Sequence, residues 1–340
     1  MYSLIDVQKR LLPDLLIIMQ KRYHILHYIG RMEPVGRRSL SLSLGLTERV
    51  LRSEVEFLKD QNLITSSTAG MSLTSDGKDL LDKLSSVIRE ISGISAMEEN
   101  LQRKLGIQKV IIVSGNCDES PWVKTELGRA AANRMKSNLT GENIIAVTGG
   151  STIAAVADML TPVDISQSCL FVPARGGIGE DVKNQANSIC AAMADRTESK
   201  HRVLYIPDQV SQEMYESIIK EREISEVLKL IKSASMVLHG IGDAITMAER
   251  RKSSSEDLAK IKSEKAEGEA FGYYFNQKGD VVHKVQTIGL QLKDLSAIPH
   301  VIAVAGGKTK AKAIAAYMKQ APQSTVLVTD EGAAKSLLEG

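Results

Sequence analysis

Short apolar runs alternate with helical segments throughout the chain beyond about residue 107. Most of these runs end in glycine, proline, serine or aspartate, as strands do where they enter a turn. Apolar strands that alternate with helices are typical of a parallel sheet buried between layers of helices. The sequence therefore predicts an α/β fold here, with strands at residues 110–113, 144–147, 170–172, 203–206, 236–239, 301–305 and 325–328.

Glycines cluster where several of these strands end, in VTGGST (147–152), VPARGG (172–177), LHGIGD (238–243) and VAGGKTK (304–310). Ligands of parallel sheets bind at the carboxyl ends of the strands. Glycine lets the main chain approach a ligand closely. A helix that begins after Gly150 would also present unpaired N–H groups to a phosphate. The glycines therefore suggest a phosphate site at this edge of the sheet.

A glycine pair taken alone is more often only a tight turn between a strand and a helix. Here the hydroxyl groups of Ser151 and Thr152 add hydrogen-bond donors, and Arg175 and Lys310 bring positive charge to the same edge. The sequence has no GxxxxGKS/T motif, and GGSTIA lacks the GxGxxG order, which argues against an ATPase or a dehydrogenase. The pattern favours a phosphate pocket of another kind.

Other polar residues near the strand ends have two interpretations each. His239 follows a strand, but a single histidine is more often a core or loop residue than a functional group. Glu269, in GEAFGYYF, either accepts hydrogen bonds from sugar hydroxyls or is structural. The basic segment 250–252 is either a solvated helix end or a second phosphate clamp. No acid–base pair is identified by spacing, so we predict no catalytic residue.

The first ninety residues predict a helix-turn-helix. An apolar helix over 11–29 should stop near Gly30, and a short helix over about 38–44 is followed by a turn at 45–46. A second helix should run from Thr47, whose hydroxyl can cap it, to about Gln61. Its buried stripe would be Leu51, Val55 and Leu58, which leaves its arginines exposed.

Two apolar segments, 63–65 and 71–73, then predict a β-hairpin, followed by a helix that opens at 74–77. This order is that of a winged helix, and the arginines near the turn suit the DNA backbone and base edges. A three-helix domain with a solvated basic face is the alternative. The residues predicted to contact DNA are Arg37, Arg38, Thr47, Arg49, Arg52 and Ser53.

A short heptad pattern follows the wing. Apolar residues are spaced by 4, 3, 4 and 3, which predicts either a dimer seam or a helix that packs on its own domain. We place the winged-helix domain with its linker helix at 1–90 and the second domain at 91–340. The heptad residues are Leu80, Leu84, Val87, Ile91 and Ile94.

Size and composition agree with two globular domains. The chain has 340 residues, of which 43% are apolar and 25% charged. Three scattered cysteines without CxxC spacing predict neither a disulfide framework nor a zinc site. We expect a cytoplasmic protein without a membrane span, since there is no long apolar run and the N-terminus does not resemble a signal peptide.

The combination of these motifs resembles the SorC-type family of sugar-responsive transcription regulators. The resemblance covers essentially the whole chain: a winged helix precedes VTGGST, VPARGGIGEDVKNQAN, HGIGDA, EAFGYYFN and VIAVAGGKTKAKAI. In that family the effector domain has the fold of phosphosugar isomerases and deaminases, such as glucosamine-6-phosphate deaminase, but works as a sensor. The resemblance implies a repressor of the operon for the triose-phosphate section of glycolysis, relieved by fructose-1,6-bisphosphate.

The resemblance also implies the ligand contacts. Which of Lys308, Lys310 and Lys312 reaches the phosphate is left open by the sequence. The positions that match the family's pattern are Gly149, Gly150, Ser151, Thr152, Arg175, Gln185, Arg250, Arg251, Glu269 and Lys310.

The expected partners are a double-stranded DNA operator and a phosphorylated sugar, with the chain as a homodimer or homotetramer. No cofactor is expected, since fructose-1,6-bisphosphate would act as an effector. The alternative is a phosphosugar isomerase or deaminase with an appended DNA-binding domain.

Overall fold

The computed structural model describes residues 11–164, 167–177 and 181–340. Residues 1–10, which bear on the expected lack of a signal peptide, and residues 178–180 of the PARGGIGED motif lie outside this range. The chain divides into two compact units between Ala96 and Met97. The sequence placed this boundary six residues earlier, at 90.

The N-terminal unit has the order of elements expected of a winged helix. Four helices accompany a two-stranded antiparallel hairpin in which Ile64 pairs with Leu73. The elements are α1 (Pro13–Met32), α2 (Arg37–Leu44), α3 (Glu48–Asp60), β1 (Ile64–Ser67), β2 (Gly70–Leu73) and α4 (Ser75–Ile91), and α5 (Ile94–Leu105) follows across the boundary.

The predicted helix ends of the helix-turn-helix are confirmed. Gly45 closes α2 in the left-handed conformation, with φ of 63°. The Thr47 hydroxyl accepts the Val50 N–H at 3.4 Å at the start of α3. The stripe of α3 predicted to be buried, Leu51, Val55 and Leu58, is buried.

The predicted end of the first helix near Gly30 is confirmed within two residues, since α1 ends at Met32. Gly30 itself lies inside the helix, where a Cβ would meet the Leu73 side chain. The heptad residues, in contrast, do not share one helix. Helix α4 ends at Ile91, Gly93 takes a φ of 69°, and a new helix begins at Ile94.

The C-terminal unit is built on the predicted parallel sheet. Its seven strands lie in the order β3-β13-β12-β7-β4-β5-β6. Six of the predicted strands are confirmed within one or two residues at each end. The strands are β3 (Lys109–Val113), β4 (Glu142–Val147), β5 (Ser168–Pro173), β6 (Lys200–His201), β7 (Met236–Gly240), β12 (His300–Val304) and β13 (Thr325–Asp330).

Helices connect these strands and bury an apolar core against them. Core side chains such as Phe171, Met193 and Leu238 are fully enclosed. The helices are α6 (Pro121–Ser137), α7 (Ser151–Asp158), α8 (Ala186–Thr197), α9 (Gln212–Ile218), α10 (Arg222–Lys232), α11 (Ala244–Arg250), α12 (Ser255–Ser263), α13 (Ala311–Met318) and α14 (Glu331–Glu339). None of the helices in the described ranges is long and apolar enough to cross a membrane.

The predicted strand at 203–206 is wrong. The sixth strand is the two-residue β6, which ends before this segment. The Asn187 side chain instead bonds the backbone of Leu204, donating to its carbonyl at 3.1 Å and accepting its N–H at 2.9 Å. The Asn187 amide thus makes the two backbone hydrogen bonds at Leu204 that a neighbouring strand would otherwise make.

A second sheet was not predicted. It has four antiparallel strands in the order β11-β10-β9-β8, and it carries Glu269 on β9. Its short strands have no clear apolar alternation, so the sequence did not distinguish them from loops. The strands are β8 (Gly242–Asp243), β9 (Ala266–Ala270), β10 (Tyr273–Asn276) and β11 (Val281–Lys284).

Candidate functional site

One pocket lies at the carboxyl ends of β4, β5 and β7, and we call it the strand-end pocket. All ten residues that the sequence predicted for the ligand line it, although they come from six separate segments of the chain. The pocket is closed on one side by β9. Residues that line it without having been predicted include Thr148, Gly176, Asp181, Asn184, Gly240, Met247 and Phe271.

The TGGST loop forms the floor of the pocket. Gly150 takes a φ of 119° and donates its N–H to the Asn184 carbonyl at 2.8 Å. A Cβ on Gly149 would come within 2.6 Å of the same carbonyl oxygen, so only glycine fits there. Helix α7 starts at Ser151 without a side-chain cap. Its first N–H groups have no acceptor within the helix, and the residues of this first turn line the pocket, as in anion sites at helix ends.

Of the three candidate lysines, only Lys310 lines the strand-end pocket. Lys308 and Lys312 are exposed, and Lys308 borders a separate cavity beside Glu119 and Glu331. Burial lowers the pKa of Lys310, and the positive charge of Lys124 lowers it further. A phosphate bound here would relieve both effects.

The AGGKTK loop differs from TGGST, although the two sequences are related. Its N–H groups are already occupied: Gly307 donates to Asp330 at 2.7 Å, and Thr309 donates to Asp118 at 2.9 Å. The loop therefore contributes the Lys310 side chain and no backbone cradle. The sequence suggested two similar loops, but protein carboxylates fill the second.

Four buried charges form a cluster in the wall of the pocket. Arg175 donates to both carboxylate oxygens of Asp208 at 2.6 Å. Arg251 donates to Asp208 at 3.0 Å, to Glu269 at 2.9 Å and to the Tyr274 hydroxyl at 2.9 Å. Two positive and two negative groups balance, which is the arrangement that makes buried charges tolerable.

The environment of the cluster favours the ionised forms of Asp208 and Arg251. Burial opposes the ionisation of Asp208, but Arg175 and Arg251 outweigh it and hold the pKa of Asp208 below its usual value. Burial likewise disfavours the charged form of Arg251, yet Glu269 and Asp208 raise the pKa of its guanidinium. Arg251 is thus a buried cluster residue, and the interpretation of 250–252 as a wholly solvated helix end is wrong.

Glu269, which lies on β9, connects the charged cluster to the second sheet. Its Oε1 accepts the Gly272 N–H at 2.6 Å in addition to the Arg251 guanidinium. The structural interpretation of Glu269 is therefore supported. A role toward sugar hydroxyls stays a prediction, since the residue also lines the pocket.

Asp208 is the functional residue that sequence reasoning missed. It follows an irregular segment, shares no motif with the arginines and is 33 residues from Arg175. Its distance in the sequence from the glycine-rich strand ends does not identify it as a residue of the site. Only the folded chain brings it between Arg175 and Arg251.

His239 is confirmed as a core residue. It is fully buried behind Phe271, with Nδ1 3.0 Å from the Gly240 carbonyl and Nε2 3.1 Å from the Tyr317 hydroxyl. Burial lowers the pKa of His239 to about 4. The ring is therefore neutral at pH 7, with Nδ1–H donating to the carbonyl and Nε2 accepting from Tyr317. The described residues contain no cluster suited to hold a metal ion.

The predicted DNA-contacting residues lie on the surface of the N-terminal unit. The arginines of the set stand in the first turn of α2 and along α3, and Arg52 pairs with Glu56 at 3.1 Å on the exposed face of α3. Thr47 caps the same helix. Arg37, Arg38, Thr47, Arg49, Arg52 and Ser53 are all exposed.

An unpredicted ion pair fixes α3 in place. Glu54 points inward from α3 and binds two cations of α1, Lys21 at 2.5 Å and Arg22 at 2.8 Å. Burial raises the pKa of Glu54, but hydrogen bonds from both cations outweigh it, so the net pKa is lowered. This anchor leaves the arginines of α3 facing solvent.

Two family models match the chain. Residues 18–88 match the "CggR N-terminal DNA binding domain", and residues 89–339 match the "Putative sugar-binding domain". Together they cover most of the chain, with the boundary between them at 88–89.

Curated relatives and solved structures agree. Central glycolytic genes regulators of Bacillus subtilis and Priestia megaterium are each 58% identical, over 99% of this chain and 99% of theirs. A SorC family transcriptional regulator from Enterococcus faecalis shares 48% identity over 72% of this chain and 99% of its own, with a TM-score of 0.68. The full-length sorbitol operon regulator SorC of Klebsiella pneumoniae, 16% identical, has the same fold over 95% of this chain and 98% of its own, with a TM-score of 0.66.

The matched family models give the chain an N-terminal DNA-binding domain and a C-terminal sugar-binding domain, in agreement with the winged helix and the α/β unit of the structure. The chain belongs to the SorC-type family of transcription regulators, and within it to the group of the central glycolytic genes regulators.

Proposed function

We propose that the chain is a transcription repressor that binds operator DNA through its winged helix and releases it when fructose-1,6-bisphosphate enters the strand-end pocket. The genes it controls would be those of the triose-phosphate section of glycolysis, and its relatives are named regulators of central glycolytic genes. The observation that carries the proposal is the convergence of all ten expected ligand residues on one pocket.

The residues that line the pocket suit different groups of the ligand. The first turn of α7 and Lys310 suit one phosphate, because the helix N-terminus and the ammonium group both bring positive charge to the pocket lining. Gln185 and Arg250 also line the pocket and suit the second phosphate. Arg175 and Glu269 are already engaged with Asp208 and Arg251, so they suit the neutral hydroxyls between the phosphates.

The same geometry supports a sensor over an isomerase or a deaminase. Those reactions need a group that moves a proton near pH 7. His239 is buried and already bonded at both ring nitrogens, and the carboxylates of Asp208 and Glu269 are held by arginines. We therefore propose binding without turnover, and a homodimer or homotetramer that presents two heads to two half-sites.

Calorimetric titration of the full-length protein tests the ligand. Fructose-1,6-bisphosphate should bind with a dissociation constant below 1 mM, given about 4 kcal/mol of binding free energy or more. Unphosphorylated fructose should not bind measurably, and the sugar phosphate should be recovered unchanged after incubation. Equal binding of both sugars, or turnover, would contradict the proposal.

The substitution Lys310→Met should weaken fructose-1,6-bisphosphate binding by about ten- to one-hundred-fold, because it removes a charge-assisted contact to phosphate worth about 1.5–3 kcal/mol. The matched control is Lys312→Met, which removes an exposed lysine two residues away and should bind as the unsubstituted protein does. The two affinities are compared by calorimetry, and equal affinities would remove Lys310 from the phosphate site.

The substitution Arg52→Ala should weaken operator binding by about 1–3 kcal/mol, since Arg52 lies on the exposed face of α3 and is expected to contact a base edge. It should leave fructose-1,6-bisphosphate affinity unchanged. Fluorescence anisotropy with a labelled operator measures the first quantity and calorimetry the second. A variant with normal operator affinity would place Arg52 outside the interface.

A further inference from the structure

Helices α6 and α7 pack side by side with unusual closeness. A Cβ on Gly128 of α6 would collide with the Ala155 carbonyl oxygen of α7, so only glycine allows this approach. Both helices follow strands of one parallel sheet and therefore begin at the same edge, the carboxyl edge that holds the pocket. The contact between Gly128 and Ala155 thus fixes the first turns of both helices beside each other.

One helical turn before this contact stands Lys124. It precedes Gly128 by four residues, as Ser151 precedes Ala155, and residues four apart lie on one face of a helix. The Lys124 Nζ is accordingly 3.5 Å from the Ser151 hydroxyl, at the first turn of α7. Helix packing thus places the backbone of Lys124 beside the first turn of α7, with its ammonium group within reach of Ser151.

Two ammonium groups and two carboxylates surround this point. Lys124 lies close enough to Lys310 for the two ammonium groups to repel each other, after burial the second cause of the lowered pKa of Lys310. Asp118 and Asp243 partly offset this repulsion, and each carboxylate also accepts hydrogen bonds from a neutral threonine, Asp118 from Thr309 and Asp243 from Thr246. Two lysines and the free N–H groups of α7 therefore converge where an anion would remove the repulsion.

We propose that Lys124, which lies beside the strand-end pocket next to Ser151, is a second phosphate-binding lysine, and that Lys124 and Lys310 together hold one phosphate on the first turn of α7. The inference rests on the proposed function and extends it. Two ammonium groups match the two charges of a phosphate monoester at pH 7. The pair thus selects a dianionic phosphate over a neutral or singly charged group at this end of the ligand.

The test is fructose-1,6-bisphosphate titration of the full-length protein carrying Lys124→Met, Lys124→Arg or the control Lys312→Met. Lys124→Met should weaken binding by about ten- to one-hundred-fold, as loss of one charged contact does. Lys124→Arg keeps the charge and should recover most of the affinity. The Lys312→Met control should match the unsubstituted protein.

The salt dependence of ligand affinity distinguishes an electrostatic role of Lys124 from a structural one. Because screening weakens exposed charge interactions, affinity of the unsubstituted protein should fall as NaCl rises from 50 to 300 mM, and that fall should be shallower in Lys124→Met. The thermal midpoint of the ligand-free variant should stay unchanged. Lys124→Met binding within twofold of the unsubstituted protein, or Lys124→Arg falling as far as Lys124→Met, would overturn the role of Lys124. No binding to the unsubstituted protein would instead overturn the proposed function itself.

Discussion

Replacing Asp208 with alanine is expected to lower the free energy of unfolding of the sugar-binding domain by about 3–5 kcal/mol. Asp208 neutralises two guanidinium groups, those of Arg175 and Arg251, and all three side chains are nearly fully buried. Removing the carboxylate leaves two buried positive charges with Glu269 as the remaining negative partner. The cost of an uncompensated buried charge far exceeds that of a lost surface ion pair.

Urea unfolding followed by Trp122 fluorescence measures this loss, since the single tryptophan lies in α6 of the sugar-binding domain. The matched control is Asp158→Ala, which breaks an exposed pair with Arg196 at 3.7 Å and should cost less than about 0.5 kcal/mol. Asp208→Asn keeps the shape and loses only the charge, so it should also be strongly destabilised. A loss below about 1 kcal/mol for Asp208→Ala would contradict the account of the cluster.

The second large effect is that of pH on the stability of the sugar-binding domain. Between pH 7 and pH 4 the sugar-binding domain should lose about 3 kcal/mol of stability through His239, since burial lowers its pKa from 6.5 to about 4. Over this range the unfolded chain binds a proton that the folded ring does not, so stability falls as pH falls. Asp208 acts at lower pH: its lowered pKa stabilises the fold above about pH 4, and that contribution is lost only below it.

The same fluorescence assay at several pH values tests His239. His239→Phe removes the titrating ring from an aromatic environment formed by Phe271 and Tyr317. The variant should be less stable at pH 7, since the Tyr317 hydroxyl loses its acceptor, but its stability should depend less on pH. Burial also lowers the pKa of His283 and His300, so a smaller slope remains. An unchanged slope would exclude His239 as its main source.

The sequence predicted those parts of the fold that follow from local patterns. Apolar strands such as 144–147 and the cap at Thr47 depend on residues close together in the chain, so periodicity and capping rules identify them. The glycines of TGGST and the charges of Arg175 and Lys310 stand at strand ends. Strand order in a parallel sheet brings such ends together, so the pocket could be predicted before its geometry was known.

The remaining features depend on contacts between distant segments. Gly30 suggests a helix end by its residue type, but packing against Leu73 keeps it inside α1. Asp208 has no local pattern that marks it as the partner of Arg175. The AGGKTK loop resembles a phosphate cradle until Asp118 and Asp330 are seen to occupy its N–H groups. In each case the local sequence was compatible with more than one structure, and a contact between distant segments determined which one forms.

Two binding sites alone do not make a sensor. The ligand must also bind the DNA-free state better than the DNA-bound state. The two effects are reciprocal: if fructose-1,6-bisphosphate weakens DNA binding by a given factor, DNA weakens sugar-phosphate binding by the same factor. The variants Lys310→Met and Arg52→Ala separate the sites. The first should keep its affinity for DNA and lose its response to the sugar phosphate, and the second should do the reverse.

The central claim is tested most directly by titrating the complex of the full-length protein and operator DNA with fructose-1,6-bisphosphate. The operator is a duplex that the protein selects from a random-sequence pool, and anisotropy with native mass measurement follows affinity and stoichiometry. The account predicts that sub-millimolar ligand weakens the complex about tenfold or more, or changes its cooperativity or stoichiometry, while Lys310→Met responds only at much higher ligand concentration. If calorimetry shows the ligand bound while affinity, cooperativity and stoichiometry all stay unchanged, the chain is not the sensor proposed here.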